Sequence, residues 1–427
     1  MGGVGSWLAR RAYSHLLRLL TPVYVLRLWW RGRAEPLYHH AIGERLGNYR
    51  GLPKAGALWV HAVSLGETRA AAVLIDALRR QQPTLHLLLT HSTATGREAG
   101  QALLREGDAQ AWLPYDTPGV VRRFFTQFRP AVGVLMETEI WPNLLHAARV
   151  AGVPMVLANA RLSARSYRKG QRLAAVMYPA AASLTLVLAQ TEDDAARLRD
   201  SGAREVLVCG NLKFDIAPDE TLLARGRTWR TQLARSVVLA AVTREGEEAM
   251  LLAAWAQLPA AGRPLLLIVP RHPQRFDEVV SLVQSAGLVP ARRSQWTDVP
   301  DDAACAADVW IGDSMGEMPL YYAAADVALL GGSFAPLGGQ NLIEAAACAC
   351  PVVMGPHTFN FAEAAELSLA AGASLRVADM AEGVSRAVAL ARNGEREAFA
   401  RRAVAFAAQH RGAALRMAQR IAPLLQP

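Results

Sequence analysis

The chain reads as an α/β protein built from two doubly wound, Rossmann-like domains behind a basic amphipathic segment. Three observations predict this. Short apolar runs of strand length alternate with longer stretches of 3.6-residue periodicity. The alternation stops in a polar, arginine-rich stretch and then restarts at Val237-Val238-Leu239-Ala240. Finally, 427 residues of 52% hydrophobic content exceed what one ordinary core accommodates.

The N-terminal segment, residues 1–33, carries Arg10, Arg11, Arg18, Arg27, Arg31 and Arg33, so its longest uncharged run is Leu19 to Leu26, too short for a standard spanning helix. At 100° per residue Leu16, Leu19, Leu20, Val23, Leu26 and Trp30 share one stripe with Arg11 and Arg18 opposite, although Arg27 intrudes and Pro22 falls inside. The pattern predicts a helix lying on a membrane surface. A helix packed on the first domain is the alternative. No small-residue cleavage site follows, which argues against a signal peptide.

The first domain, residues 34–215, is expected to hold strands over Leu58–His61, Leu85–Thr90, Ala109–Leu113, Ala131–Met136, Met155–Ala158, Leu186–Ala189 and Val206–Cys209. Pro53 and Gly56 introduce the first of these, and a helix over Thr68–Arg80 follows it, with Ala71, Leu74, Ile75 and Leu78 on one face. Between them, His61-Ala62-Val63-Ser64-Leu65-Gly66-Glu67-Thr68 places the Glu67 carboxylate on a turn at a helix N-terminus. The carboxyl end of a parallel strand is where open α/β sheets bind ligands. An acid in the first turn also complements the helix dipole, so spacing alone leaves Glu67 between a dipole-complementing acid and a residue of a ligand site.

Residues 216–235 are expected to be a linker, and residues 236–427 a second domain with strands over Val237–Ala241, Leu265–Val269, Val309–Ile311, Val327–Leu330 and Val352–Met354 and helices filling Ala381–Leu425. Gly331-Gly332-Ser333, then Gly338-Gly339-Gln340-Asn341 and Glu344, follow a strand and open a helix. Glycines there let N–H groups approach a phosphate, and a carboxylate on the first turn suits a ribose diol. An ordinary capped helix is the alternative.

Net charge of +9 favours an anionic partner, but no basic-aromatic cluster or nucleic-acid motif is present, so anionic lipid and nucleotide fit better than DNA or RNA. Of 46 basic residues only Lys54, Lys169 and Lys213 are lysines, which makes Lys213 inside a motif informative. Cys209, Cys305, Cys348 and Cys350 lack zinc-site spacing and read as small apolar residues of a reducing compartment. Glu137 and Glu139 follow one strand and could be acid–base partners or metal ligands; no Asp-x-Asp accompanies them, and a metal-free site is expected.

Seven blocks in collinear order resemble the 3-deoxy-D-manno-octulosonic acid (Kdo) transferases of lipopolysaccharide synthesis: HAVSLGE at His61, METEIWPN at Met136, NARLSARS at Asn159, GNLKFD at Gly210, VPRHPQRF at Val269, GDSMGEM at Gly312 and MGPHTFNF at Met354. The resemblance runs from about Arg27 to the C-terminus. It implies the glycosyltransferase B architecture with an interdomain cleft, and inverting transfer of Kdo from CMP-Kdo to a lipid A precursor. Glu67 would be the general base, with Glu137 and Lys213 assisting the transition state. Pro270, Arg271, Met315, Gly316, Glu317, Asn341 and Glu344 would line the CMP site, with His272 behind them. No cofactor beyond the donor is implied, and the place of action would be the cytoplasmic face of the inner membrane, against anionic lipids. The competing readings are a UDP-sugar epimerase, a lipid disaccharide synthase, or a non-catalytic CMP-sugar-binding membrane protein.

Overall fold

A computed structural model describes residues 4–33, 35–50 and 55–425. Pro53, expected to introduce the first strand, lies outside the described residues, as do the outermost residues of the N-terminal segment and of the second domain. The chain forms two compact units, Met1–Ile216 with Arg411–Pro427, and Ala217–His410.

The first unit holds a seven-stranded parallel sheet: β1 (Leu58–His61), β2 (Leu87–His91), β3 (Ala109–Trp112), β4 (Val132–Met136), β5 (Met155–Ala160), β6 (Leu186–Ala189) and β7 (Val206–Val208), in the order β3-β2-β1-β4-β5-β6-β7. Leu58 is opposite Leu87 on one side and Val132 on the other, so β1 sits at the point where the strand order reverses. All four β1 residues are buried, as a parallel sheet covered on both faces requires. Leu58 and Val60 pack under the Leu65–Gln81 helix with Leu74, Ile75 and Leu78. Trp59 faces the other way, into Phe124, Phe125 and Leu144.

The Ala413–Ile421 helix belongs to this unit, whereas the sequence reading assigned everything from residue 236 onward to the second domain. Its Ala413, Met417 and Ile421 stripe joins the cluster under the Leu65–Gln81 helix. Asp215 caps it, accepting from the Gly412 and Ala414 N–H groups. Periodicity reports a buried face but not which sheet buries it.

The second unit has its own parallel sheet of β8 (Val237–Thr243), β9 (Leu265–Pro270), β10 (Pro290–Arg292), β11 (Val309–Ile311), β12 (Val327–Leu330), β13 (Val352–Met354) and β14 (Ser374–Arg376), ordered β10-β11-β9-β8-β12-β13-β14. The two edge strands, each three residues long, exceed the five expected. The stretch read as a linker is mostly a helix, Glu220–Gln232, capped by Asp219. Leu223, Gly226 and Trp229 bury it; a Cβ on Gly226 would stand 2.2 Å from the Leu320 carbonyl, so glycine permits the close approach.

The N-terminal helix, Val4–Arg31, turns Tyr13 and Ser14 toward the first unit. Tyr13 donates to Asp116 at 2.9 Å and Ser14 to Asn143 at 3.0 Å. Its other side leaves Leu16, Leu19, Val23, Leu26 and Trp30 exposed, Leu19 at 76% and Trp30 at 68%. Among the described residues no helix is long and apolar enough to cross a membrane.

Candidate active site

Beyond the carboxyl end of β1 the chain turns through Ser64 into the Leu65–Gln81 helix. Ser64 is extended and its hydroxyl accepts from the Glu67 N–H. The Glu67 carboxylate folds back, accepting from the Val63 N–H at 2.8 Å and the Ser64 hydroxyl at 3.2 Å. Ser64 is the N-cap, and Glu67 adds to it by holding the Val63 N–H just ahead of the helix. Capping does not spend its basicity: burial raises its pKa to about 7 against the Val63 hydrogen bond, with Glu137 and Glu139 raising it further. A carboxylate poised near neutral pH suits a general base.

Glu137 ends the neighbouring strand β4 with φ of 59°, a left-handed conformation uncommon for a side chain of this size. It is held there by its N–H on the Ala158 carbonyl at 2.9 Å and by the Arg161 N–H on its own carbonyl at 3.2 Å. Lys213 Nζ lies 3.3 Å from the Glu137 carboxylate. The Lys213 loop is fixed through amides: Asn159 accepts from the Leu212 N–H at 3.0 Å, and Asn211 donates to Gln190, which donates to the Asn159 carbonyl. The predicted trio of Glu67, Glu137 and Lys213 is therefore brought to one switch point.

Two further groups complete this site. Glu139 accepts from the Trp141 indole at 2.7 Å, and burial, opposed by that bond, raises its pKa. His61 is wholly buried, its Nε2 3.8 Å from Glu139. Burial, aided by His91, lowers its pKa to about 3, which keeps the ring neutral. Among the described residues no three His, Cys, Asp or Glu side chains cluster as metal ligands.

In the second unit the predicted nucleotide residues all emerge at the carboxyl edge of one sheet. Pro270 closes β9, and the Arg271 N–H bonds the Thr243 carbonyl beside β8 at 2.9 Å. Met315, Gly316 and Glu317 follow β11, Gly316 with φ of 83° and Met315 exposed. Glu317 is held by a bidentate Arg293 pair, both contacts 3.0 Å. That partner lies 24 residues away, beyond the reach of any local pattern. Asn341 is the N-cap of the Leu342–Ala347 helix, accepting from the Ile343 N–H at 3.2 Å, with Glu344 in its first turn.

Sequence reasoning missed Glu247. Fully buried, it accepts from the N–H groups of Arg244 at 2.9 Å, Gly332 at 2.7 Å and Phe334 at 3.1 Å, tying the loop after β8 to the glycine loop after β12. Close by, Val242 has φ of 59°, an outlier for a β-branched residue. A Cβ on Gly331 would lie 2.3 Å from the Val242 carbonyl, so the glycine-rich pattern here serves this contact as much as any ligand. The only signal was an acid pair, Glu247-Glu248, just past a strand.

Comparison with known proteins gives a consistent picture. Residues 40–216 match the family described as 3-deoxy-D-manno-octulosonic-acid transferase (kdotransferase). A 3-deoxy-D-manno-octulosonic acid transferase from Bordetella pertussis is 48% identical over 96% of this chain and 98% of its own. The Haemophilus influenzae protein of the same description is 32% identical, covering 97% and 98%. A crystal structure of Anabaena HepE in complex with UDP aligns with a TM-score of 0.57 over 86% of this chain and 99% of that one; at 17% identity the likeness is one of fold.

Proposed function

We infer from its membership of the 3-deoxy-D-manno-octulosonic acid transferases, the family to which this chain belongs, that it moves Kdo from CMP-Kdo to a lipid A precursor by an inverting displacement. Glu67 takes the proton of an acceptor hydroxyl, the freed oxygen pair forms a bond to C2 of Kdo, and the bond from C2 to the phosphate oxygen breaks with its electrons leaving on CMP. The observation that carries this assignment is a carboxylate held near neutral pKa at a strand end, beside the Glu137–Lys213 pair. Base catalysis of this kind contributes roughly 10² to 10⁴ in rate. Lys213 supplies a point charge where negative charge develops, which removes the need for a cation.

CMP is assigned to the carboxyl edge of the second sheet, with Pro270, Arg271, Met315, Gly316, Asn341 and Glu344 around it. Glu317 contributes through Arg293, whose guanidinium it orients. The donor carries its own leaving group, so no further cofactor enters.

The acceptor is a lipid, and the exposed Leu/Val/Trp stripe of the N-terminal helix supports a peripheral position on the cytoplasmic face of the inner membrane. Each arginine near an anionic surface adds about 1 kcal/mol. Incubating the purified protein with CMP-Kdo and tetraacyl lipid A precursor, followed by mass spectrometry, tests the whole reading. The expected product is heavier by Kdo and disappears in Glu67→Gln; unchanged acceptor with the wild type would overturn it.

A further inference from the structure

The first unit contains a second concave site, lined by none of the residues assigned to the transfer. It is a cavity of about 630 Å³ between the N-terminal helix, the Pro142–Val150 helix and the Ala174–Ala181 helix. Its size suits a headgroup or small ligand. Arg10, His146, Arg149 and Arg204 line it, and no acidic side chain does. Among the described residues none of the four is ion-paired; Arg10 reaches only the Asn143 side chain, at 3.4 Å. Asp116, the acid whose charge acts on Arg10, is committed to Tyr13 and to the N–H groups of Asn143 and Leu144.

Arg149 and Arg204 are exposed and Arg10 is half-buried, so three guanidinium groups present their charge at an open hollow where an anion from solvent or a membrane surface can reach them. The basic groups also act on one another. Burial, together with Arg10 and Arg149, holds His146 below its ordinary pKa, and burial with Arg149 and Arg11 does the same to Arg10.

The rim decides which anion. Trp7 and Tyr178, both lining residues, are 46% and 54% exposed; Leu8, next to Trp7, and Leu173, at the start of the Ala174–Ala181 helix, are exposed as well. A site for a free anion gains nothing from exposed indole, phenol and leucine side chains, whereas Trp and Tyr are the residues that settle at a bilayer's headgroup level. The Val4–Arg31 helix that contributes Trp7 and Arg10 also carries the apolar stripe from Leu16 to Trp30.

We propose that this cavity is a binding site for the phosphate of an anionic phospholipid headgroup, separate from the site that takes the sugar acceptor. The proposal rests on the membrane association inferred above and adds the residues that recognise the lipid: Arg149 and Arg204 from the protein body, Arg10 from the N-terminal helix, and Trp7 and Tyr178 alongside the acyl region.

Co-sedimentation with vesicles free of lipid A precursor tests it at fixed, physiological ionic strength. Vesicles of phosphatidylcholine are compared with vesicles containing phosphatidylglycerol, for the wild type, Arg149→Gln/Arg204→Gln, and the charge-matched control Arg105→Gln/Arg122→Gln. The pocket pair should lose on the order of tenfold of the preference for anionic vesicles, the control should lose little, and binding to neutral vesicles should be alike in all three. Equal loss in pocket and control pairs overturns the site in favour of general charge attraction. Loss of the wild-type preference when millimolar inorganic phosphate replaces chloride overturns the lipid as its ligand. Absence of wild-type binding to any vesicle removes the membrane reading and this site with it, while retained anionic preference in the pocket pair removes the site alone. Should the pair fail to fold, the single Arg204→Gln, an exposed residue ahead of β7, gives the same comparison.

Discussion

Replacing Glu67 by glutamine should separate catalysis from stability, in opposite directions. The amide oxygen can still accept from the Val63 N–H and the amide can donate to the Ser64 hydroxyl, so the helix cap survives. Basicity does not, and turnover should fall by roughly 10² to 10⁴. Glu67 is an acid whose folded pKa stands above its unfolded one, 4.5 against about 7. The folded state therefore binds the extra proton between those values, and stability falls as pH rises from about 4.5 through about 7. The full difference is worth about 3 kcal/mol, and solvent screening of a partly exposed group reduces it to about 1–2. Glutamine carries no such penalty, so at pH 8 the variant should melt several degrees higher, at about 2–4 °C per kcal/mol, and the gap should close at pH 5. The wild-type kcat/KM should drop on the acid side of about pH 7, and the residual activity of the variant should lack that limb. Scanning calorimetry at the two pH values and a pH–rate profile read both effects. A variant that keeps near-wild-type turnover, or that is no more stable at pH 8 than at pH 5 relative to wild type, refutes the poised-base argument.

Glu344→Ala should weaken CMP binding by calorimetry on the order of tenfold or more, from loss of a charged hydrogen bond to ribose; equal binding of CMP and deoxy-CMP to the wild type would contradict it. Glu247→Ala leaves three loop N–H groups without their acceptor, so it should lower the melting temperature of the protein by several degrees and weaken CMP binding as well. A melt and a CMP titration unchanged from wild type would show that these loops do not depend on it. The role proposed for Lys213 predicts activity that survives exhaustive EDTA; a requirement restored by magnesium would make Glu137 and Glu139 ligands instead. Removing residues 1–33 should reduce binding to anionic vesicles and raise the KM for lipid acceptor while CMP affinity holds, and undiminished vesicle binding would assign the helix to packing alone.

What was legible in the sequence and what was not divides along a physical line. The strands of the first sheet could be read because residues such as those of Leu58–His61 and Leu186–Ala189 are buried on both faces and form unbroken apolar runs. β10 and β14 could not, since Pro290–Arg292 and Ser374–Arg376 are short edge strands with polar residues. Helical periodicity found the Ala413–Ile421 helix but not its sheet, because an apolar stripe carries no address. The site divides likewise. That Glu67, Asn341 and Glu344 fall past a strand and at a helix start could be read from local pattern, whereas the roles expected of them, and of Glu137 and Lys213, came with the resemblance to the Kdo transferases. The groups that hold the site in shape, Arg293 against Glu317 and Glu247 across two loops, pair over 24 and 85 or more residues, and no local pattern encodes such a partner. Positive φ at Glu137 and Val242 is hidden for the same reason: neither residue type favours that conformation, and only the surrounding hydrogen bonds enforce it. Glu67 shows why the two kinds of information have to be joined. Its place in the first turn of a helix suits an acid that complements the dipole, and in the sequence that reading competes with one of a residue at a ligand site. In the folded protein the Val63 N–H and the Ser64 hydroxyl aim the carboxylate, and its burial there, beside two other acids, raises its pKa to about 7.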